Sequence, residues 1–166
     1  GVNDAVNFGN TFDYERTNAF SVSAWATTQS ATDQAIISNQ QVTTFRGWSV
    51  YIDNSGLVNA QLINTLATNR LVVIAATAPP VNNGQRHHIV FAYAGNSLLA
   101  GCAIYIDNVS YPVSLQSTPN NLSATIVTAA NLKIGVQGDN ATAPFHGLIE
   151  DVSLWDVQLS AGNVTT

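Results

Sequence analysis

The sequence predicts an all-β protein, a two-sheet antiparallel β-sandwich. Three observations carry that reading. From Val81 to Tyr111 the chain reads VNNGQRHHIVFAYAGNSLLAGCAIYIDNVSY. Asn83-Gly84 opens one strand-like run there, Ala94-Gly95-Asn96 closes it, and Asp107-Asn108 turns a second run into a third, the pattern of an antiparallel meander. Apolar and polar residues alternate with period two along several other runs, the mark of half-buried strands. Turn residues cut the chain into about a dozen short strands, too many for one open sheet, so two packed layers in a sandwich or jelly roll are expected.

Taken in order, Phe20, Val22, Ala24 and Ala26 alternate with Ser21, Ser23, Trp25 and Thr27. Trp48, Val50 and Ile52 alternate with Ser49, Tyr51 and Asp53, and Asn59 and Gln61 separate Val58, Ala60 and Leu62. Cys102, Ile104 and Ile106 follow the same rule, and Leu148, Val152 and Leu154 lie in a last run with Glu150 and Asp151. Asn54-Ser55-Gly56, Asn82-Asn83-Gly84 and Gly138-Asp139-Asn140 read as turns. Pro79-Pro80 rules out a central strand at that point. Helical periodicity is missing, and Ser160 is placed to cap one turn near the C-terminus. With neither repeat nor linker, residues 1–166 read as one domain.

The 166 residues are 46% hydrophobic, enough for a sizeable core, but only 9% charged against the usual quarter or so. Asn, Gln, Ser and Thr must therefore cover the surface. A net charge of -5 with five Lys and Arg argues against a nucleic-acid partner and supplies no polybasic membrane anchor. Cys102 is the only cysteine, so a disulfide framework and a cysteine metal cluster are excluded. Runs long enough for a membrane helix are absent. The chain opens on Gly1 without a signal-peptide pattern, which reads as an excised segment of a longer protein.

Several segments resemble the laminin-G-like, concanavalin A-like lectin/glucanase superfamily. Asp4–Phe8 and Phe20–Trp25 look like its first two strands, and Ile36–Asn39 and Gly47–Ile52 like the next pair. Asn83–Tyr93 is similar to DGxWHHIVxTYDG, Ile104–Asn108 to IYIDG, Phe145–Val152 to FxGxIDDVRIY, and Leu159–Ala161 to the closing ALSA. The matches keep their order across nearly the whole chain. Arg86 replaces the customary Trp, Ala94 an Asp and Asn108 a Gly, the last a change that tolerates a left-handed turn. The resemblance implies a jelly roll used in extracellular, cell-surface or phage structural proteins, many of which bind glycans or proteins.

Some members are glycosidases, which need two carboxylates close together. This chain has two Glu, Glu15 and Glu150, far apart in sequence. Glu150 and Asp151 are adjacent, and strand alternation is expected to send them to opposite faces. We therefore expect no enzyme activity. His87 and His88 should also diverge, one solvated and one bonded at the core rim, rather than form a zinc site. Cys102 shares a face with Ile104 and Ile106 and reads as a buried hydrophobe.

The resemblance further implies a structural calcium ion held by Asp151, with Asp4 nearby if the first and last strands pair. For a glycan, the residues suited to an aromatic platform with neutral or acidic hydrogen-bonding groups are Phe45, Trp48, Tyr51, Asp53, Gln61, Tyr93 and Tyr105. The loop Gln40–Arg46 forms a rim, and Asn59 and Asn64 add polar groups. Of Trp25, Trp48 and Trp155, two are expected in the core.

The leading reading is a non-catalytic recognition or attachment module of a surface-exposed or virion protein, binding glycan. The alternative is a structural decoration or appendage protein working through protein–protein contacts, with an oligomer as its expected form. An endoglycanase ranks third.

Overall fold

The computed structural model describes residues 4–116, 118–138 and 142–164. Twelve strands lie among them: β1 Val6–Asn7, β2 Phe20–Thr28, β3 Gln34–Ser38, β4 Gly47–Ile52, β5 Val58–Thr65, β6 Asn69–Ile74, β7 Arg86–Tyr93, β8 Cys102–Ile106, β9 Val109–Tyr111, β10 Ser114–Leu115, β11 Lys133–Ile134 and β12 Gly147–Trp155. They form two antiparallel sheets. The larger has the order β1-β11-β3-β4-β5-β6-β10, and the smaller β12-β2-β7-β8-β9. The all-β sandwich expected from the sequence is the fold observed.

Alternation works as expected on β2. Phe20, Val22, Ala24 and Ala26 face the core between the sheets, with Ile89, Phe91 and Tyr93 from β7 beside them. Trp48, Val50 and Ile52 of β4 and Ala60 and Leu62 of β5 close the core from the larger sheet. Phe20 is the hub: its ring lies 4.5 Å from Tyr14, 5.2 Å from Trp48, 5.6 Å from Tyr93 and 5.9 Å from Phe91. β6 gave no alternating signal because Leu71, Val72 and Val73 are all buried, and β3 is buried along its whole length. A strand covered on both sides reads as a continuous apolar run.

The turns follow their residues. Asp107 and Asn108 both adopt left-handed φ, 51° and 67°, as a two-residue hairpin between β8 and β9 requires. Gly56, Gly84 and Gly95 are left-handed where turns were expected. Asp139 and Asn140 of the expected Gly138 turn lie outside the described residues. A short 3-10 turn does form at Ala161–Asn163, but the Ser160 hydroxyl bonds Asn163 Oδ1 at 2.5 Å instead of capping it. Gly147 admits no side chain, since a Cβ there would collide with Thr27 O on the paired strand β2.

The first and last strands do not pair. β1 joins β11 in the larger sheet and β12 joins β2 in the smaller, so each forms an outer edge. The tryptophan expectation also fails. Trp48 is buried, but Trp25 is half-buried and Trp155 is 36% exposed, because both stand on the outer face of the smaller sheet.

Trp48→Ala should destabilise the fold by about 3–5 kcal/mol, since it empties the space beside Phe20. A urea titration that finds a loss below about 1 kcal/mol contradicts this packing. Burial also raises the Cys102 thiol and the Tyr51 phenol, each to about 12, and holds the Tyr14 and Tyr93 phenols above their ordinary value. The unfolded chain releases these protons from about pH 9 upward while the folded chain keeps them, so stability falls as pH rises through that window. The urea midpoint should be lower at about pH 11 than at about pH 8, and equal midpoints would contradict the burial.

Candidate functional site

The outer face of the larger sheet carries a shallow groove of about 220 Å³. Tyr51 on β4, Gln61 on β5 and Arg70 and Val72 on β6 form its floor, with Phe45, Asp33, Gln116 and Gln137 around it. The register explains the grouping: Ser49 pairs with Gln61 and Gln61 with Val72, so side chains from three adjacent strands emerge together.

Each polar group is held in place. The Tyr51 hydroxyl donates to Gln116 Oε1 at 3.1 Å, and its phenol is kept neutral by burial, aided by the Asp33 and Asp53 carboxylates. Gln137 Nε2 donates to Gln40 Oε1 at 2.7 Å, and Gln40 Nε2 lies 3.5 Å from Gln61 Oε1. Arg70 Nη2 donates to Thr118 O at 2.9 Å, while its Nε is buried without a partner. Phe45 takes a left-handed φ of 57° in the loop Gln40–Arg46, where its amide donates to Gln41 O at 2.8 Å. That loop is the expected rim.

Of the proposed ligand residues, the structure brings Phe45, Tyr51 and Gln61 together. It removes the others. Trp48 is 1% exposed and its Nε1 donates to Phe12 O at 3.3 Å, inside the core. Tyr93 is fully buried on the inner face of β7, its hydroxyl donating to Arg16 O and accepting from Ser97 N. Tyr105 points to the outer face of the other sheet, where Val164 and Leu159 cover it. Asp53 is spent on its own turn, accepting from the Ser55 and Leu57 amides and from Asn59 Nδ2. Asn59 is buried, and Asn64 Nδ2 donates to Thr125 O.

Sequence reasoning missed Asp33, Arg70, Gln116 and Gln137. One signal was present for Arg70: it is one of five basic residues and precedes an apolar run.

The two glutamates stay apart. Glu15 Oε1 accepts from the Arg16 and Ile126 amides, and Glu150 lies on the outer face of the smaller sheet. Beside the groove, Asp33 and Asp53 are each tied to turn amides, Asp33 Oδ1 accepting from Asn54 N at 2.9 Å. A glycosidase pair needs both carboxylates free to address one bond.

One acid expectation is corrected. Glu150 and Asp151 do not diverge. The β12–β2 register shifts between Glu150 and Ser153, and Asp151 has a φ of 51°. This bulge turns both carboxylates to Arg86, with Nε 3.0 Å from Glu150 Oε2 and Nη2 3.6 Å from Asp151 Oδ2. The guanidinium carbon lies 3.9 Å from the Trp25 ring centroid. Arg86, in place of the customary Trp, thus packs over an indole of the neighbouring strand. The histidines do diverge: His87 Nδ1 lies 2.7 Å from Asp107 Oδ2 at the core rim, and His88 stands beside Trp25 with ring centroids 5.0 Å apart. Cys102 is buried, its thiol 3.7 Å from Leu98 O.

The expected calcium ligands do not form a set. Asp4 lines a depression with Val6, Gly135 and Leu148, whereas Asp151 borders a different one and faces Arg86. Among the described residues no three His, Cys, Asp or Glu side chains converge, and calcium wants six to eight oxygens.

An antiparallel sandwich with a polar, aromatic-edged groove on an open sheet face defines a lectin-like architecture. The chain belongs to the concanavalin A-like lectin/glucanases superfamily, whose laminin-G-type model matches residues 1–165. No curated protein matches the chain significantly in sequence. Among solved structures it is similar to the CBM40 module of the Ruminococcus gnavus IT-sialidase bound to α2,3-sialyllactose, with 16% identity, a TM-score of 0.65 and coverage of 98% of this chain and 96% of that one. It is similar to the binding domain of Paraclostridial Mosquitocidal Protein 1, at 11% identity and a TM-score of 0.65 over 95% of this chain and 39% of that one. The heptameric SAP-like pentraxin of Limulus polyphemus matches at 15% identity and a TM-score of 0.59, over 87% and 67%. At these identities the likeness establishes the fold.

Removing calcium with EDTA should leave the melting temperature unchanged, because Asp4 and Asp151 border different depressions and cannot share one ion. A clear fall on chelation, restored by calcium, would show a cation site.

Proposed function

We propose that the chain is a non-catalytic glycan-recognition module of an extracellular, cell-surface or virion protein. The observation that carries this reading is the convergence of Phe45, Tyr51, Gln61, Gln116, Gln137 and Arg70 on one open groove. Sugars offer apolar ring faces and hydroxyl edges, which aromatic rings and fixed amides match. The small volume suits a site that grips one or two groups of a longer ligand.

Arg70 supports a finer reading, an acidic sugar. It is the only cation lining the groove among the described residues, and its guanidinium donates from Nη2 to Thr118 O. A carboxylate on the ligand would give it a charge-assisted bond. The similar Ruminococcus gnavus module is bound to sialyllactose in both α2,3 and α2,6 linkage, which agrees with this choice of ligand class.

A second reading is favoured by one feature. Val6, Phe8, Phe12 and Leu148 are each about half exposed or more, near the edge strands β1 and β12. Such a seam suits contact between protein surfaces in an assembly.

A glycan array with sialylated and desialylated pairs separates these readings. We expect binding to sialylated members, lost in Tyr51→Ala and at least about tenfold weaker in Arg70→Gln, the effect of one charge-assisted bond. Binding that ignores the acidic sugar but still needs Tyr51 would keep the module and discard the acidic ligand. An empty array together with a stable oligomer on gel filtration would favour the assembly reading.

A further inference from the structure

The outer face of the smaller sheet carries a second groove, of about 410 Å³, between the sheet and the chain segment that follows β12. Its walls include Trp25, Trp155, His88 and Asp151, and Val90, Leu159 and Val164 supply an apolar floor. The volume lies within the range of small-ligand sites. The glycan groove does not use this face, since it lies on the other sheet.

The charge at its rim is one-sided. Glu150 and Asp151 carry two negative charges against the single positive charge of Arg86. The carboxylates are 48% and 77% exposed, so the excess negative charge faces the solvent at the groove mouth. The exposed Trp155 indole adds the negative face of its π-system. The protein already uses this chemistry internally, with the Arg86 guanidinium resting on Trp25. Trp155, at the other end, is exposed and pairs with no other aromatic ring among the described residues.

Groups able to make directed hydrogen bonds are few. Ser23 and Asn163 are the groove's only hydroxyl and amide side chains among the described residues, Asn163 Oδ1 already accepts from Ser160, and His88 Nδ1 is buried. A sugar ring needs several such groups at once. A quaternary ammonium needs none: it is held by aromatic faces and a nearby carboxylate, and its methyl groups suit an apolar floor. We propose that this groove binds a small organic cation of the quaternary-ammonium class, with Trp155 as its aromatic face, Trp25 as a side wall and Asp151 as its counter-charge.

The test compares choline with 3,3-dimethylbutan-1-ol, its neutral carbon isostere, by titration calorimetry and tryptophan fluorescence on the intact chain. We expect choline to bind with a Kd in the millimolar range and to perturb indole emission, with the isostere at least about tenfold weaker. Trp155→Ala should abolish the response. Asp151→Asn should weaken it several-fold without harming the fold, because Asn tolerates the left-handed φ that this position holds. Its folding is checked independently by melting temperature. Equal binding of choline and the isostere, an undiminished response in Asp151→Asn, or no choline binding at all would each overturn the proposal.

Discussion

Phe20 touches aromatic rings from both sheets and from the loop before β2, and its packing decides which side chains are left for binding. Tyr14, Trp48, Phe91 and Tyr93 crowd around it at centroid distances of 4.5–5.9 Å. Burying these rings together removes their apolar surface from water. Aromatic pairs at such distances add to the burial of area. Trp48 and Tyr93 are thereby committed to joining the layers. Only aromatics whose Cβ points away from this cluster, among them Tyr51, Trp25 and Trp155, reach the outer faces.

The two outer faces then acquire different chemistry from the same rule. On β4, β5 and β6 the outward positions are Tyr51, Gln61 and Arg70, and a belt of glutamines links the sheet to its loops. On β2, β7 and β12 they are Trp25, Arg86, His88, Glu150 and Trp155. One face is an amide surface with a single guanidinium, the other an indole surface with an excess of carboxylate. The basic residues on strand faces are consumed differently as well. Arg86 is balanced by two acids and an indole, whereas Arg70 bonds a lone carbonyl and keeps a nitrogen unpaired.

The legibility of the sequence follows from how local each signal is. Alternation on β2 and β4, and the Asp107-Asn108 hairpin, depend on residues within one run, and they were readable. β6 was not, because Leu71, Val72 and Val73 are covered from both sides and erase the period-two pattern. Three groove residues, Phe45, Tyr51 and Gln61, were legible as outward polar or aromatic positions. Gln116 and Gln137 were not, since loops far apart in sequence bring them to β4 and β5. Whether an outward-looking aromatic is free is equally non-local: Tyr105 alternates outward as expected, yet the returning segment with Leu159 and Val164 covers it.

The bulge at Asp151 shows where alternation itself stops being a safe guide. Two adjacent acids in a regular strand must diverge, and an argument against a shared site rests on that geometry. A left-handed residue inserted opposite β2 breaks the count, so Glu150 and Asp151 meet one guanidinium from β7. Asp is among the few residues that take this conformation at modest cost, which ties the bulge to the residue that occupies it. The same displacement resets the phase of β12, so that Ser153 and Trp155 continue on the outer face opposite Ser23 and Ser21. One irregular residue thus gathers the acids at Arg86 and sets Trp155 on the surface, and the second groove exists because the strand is imperfect at that point.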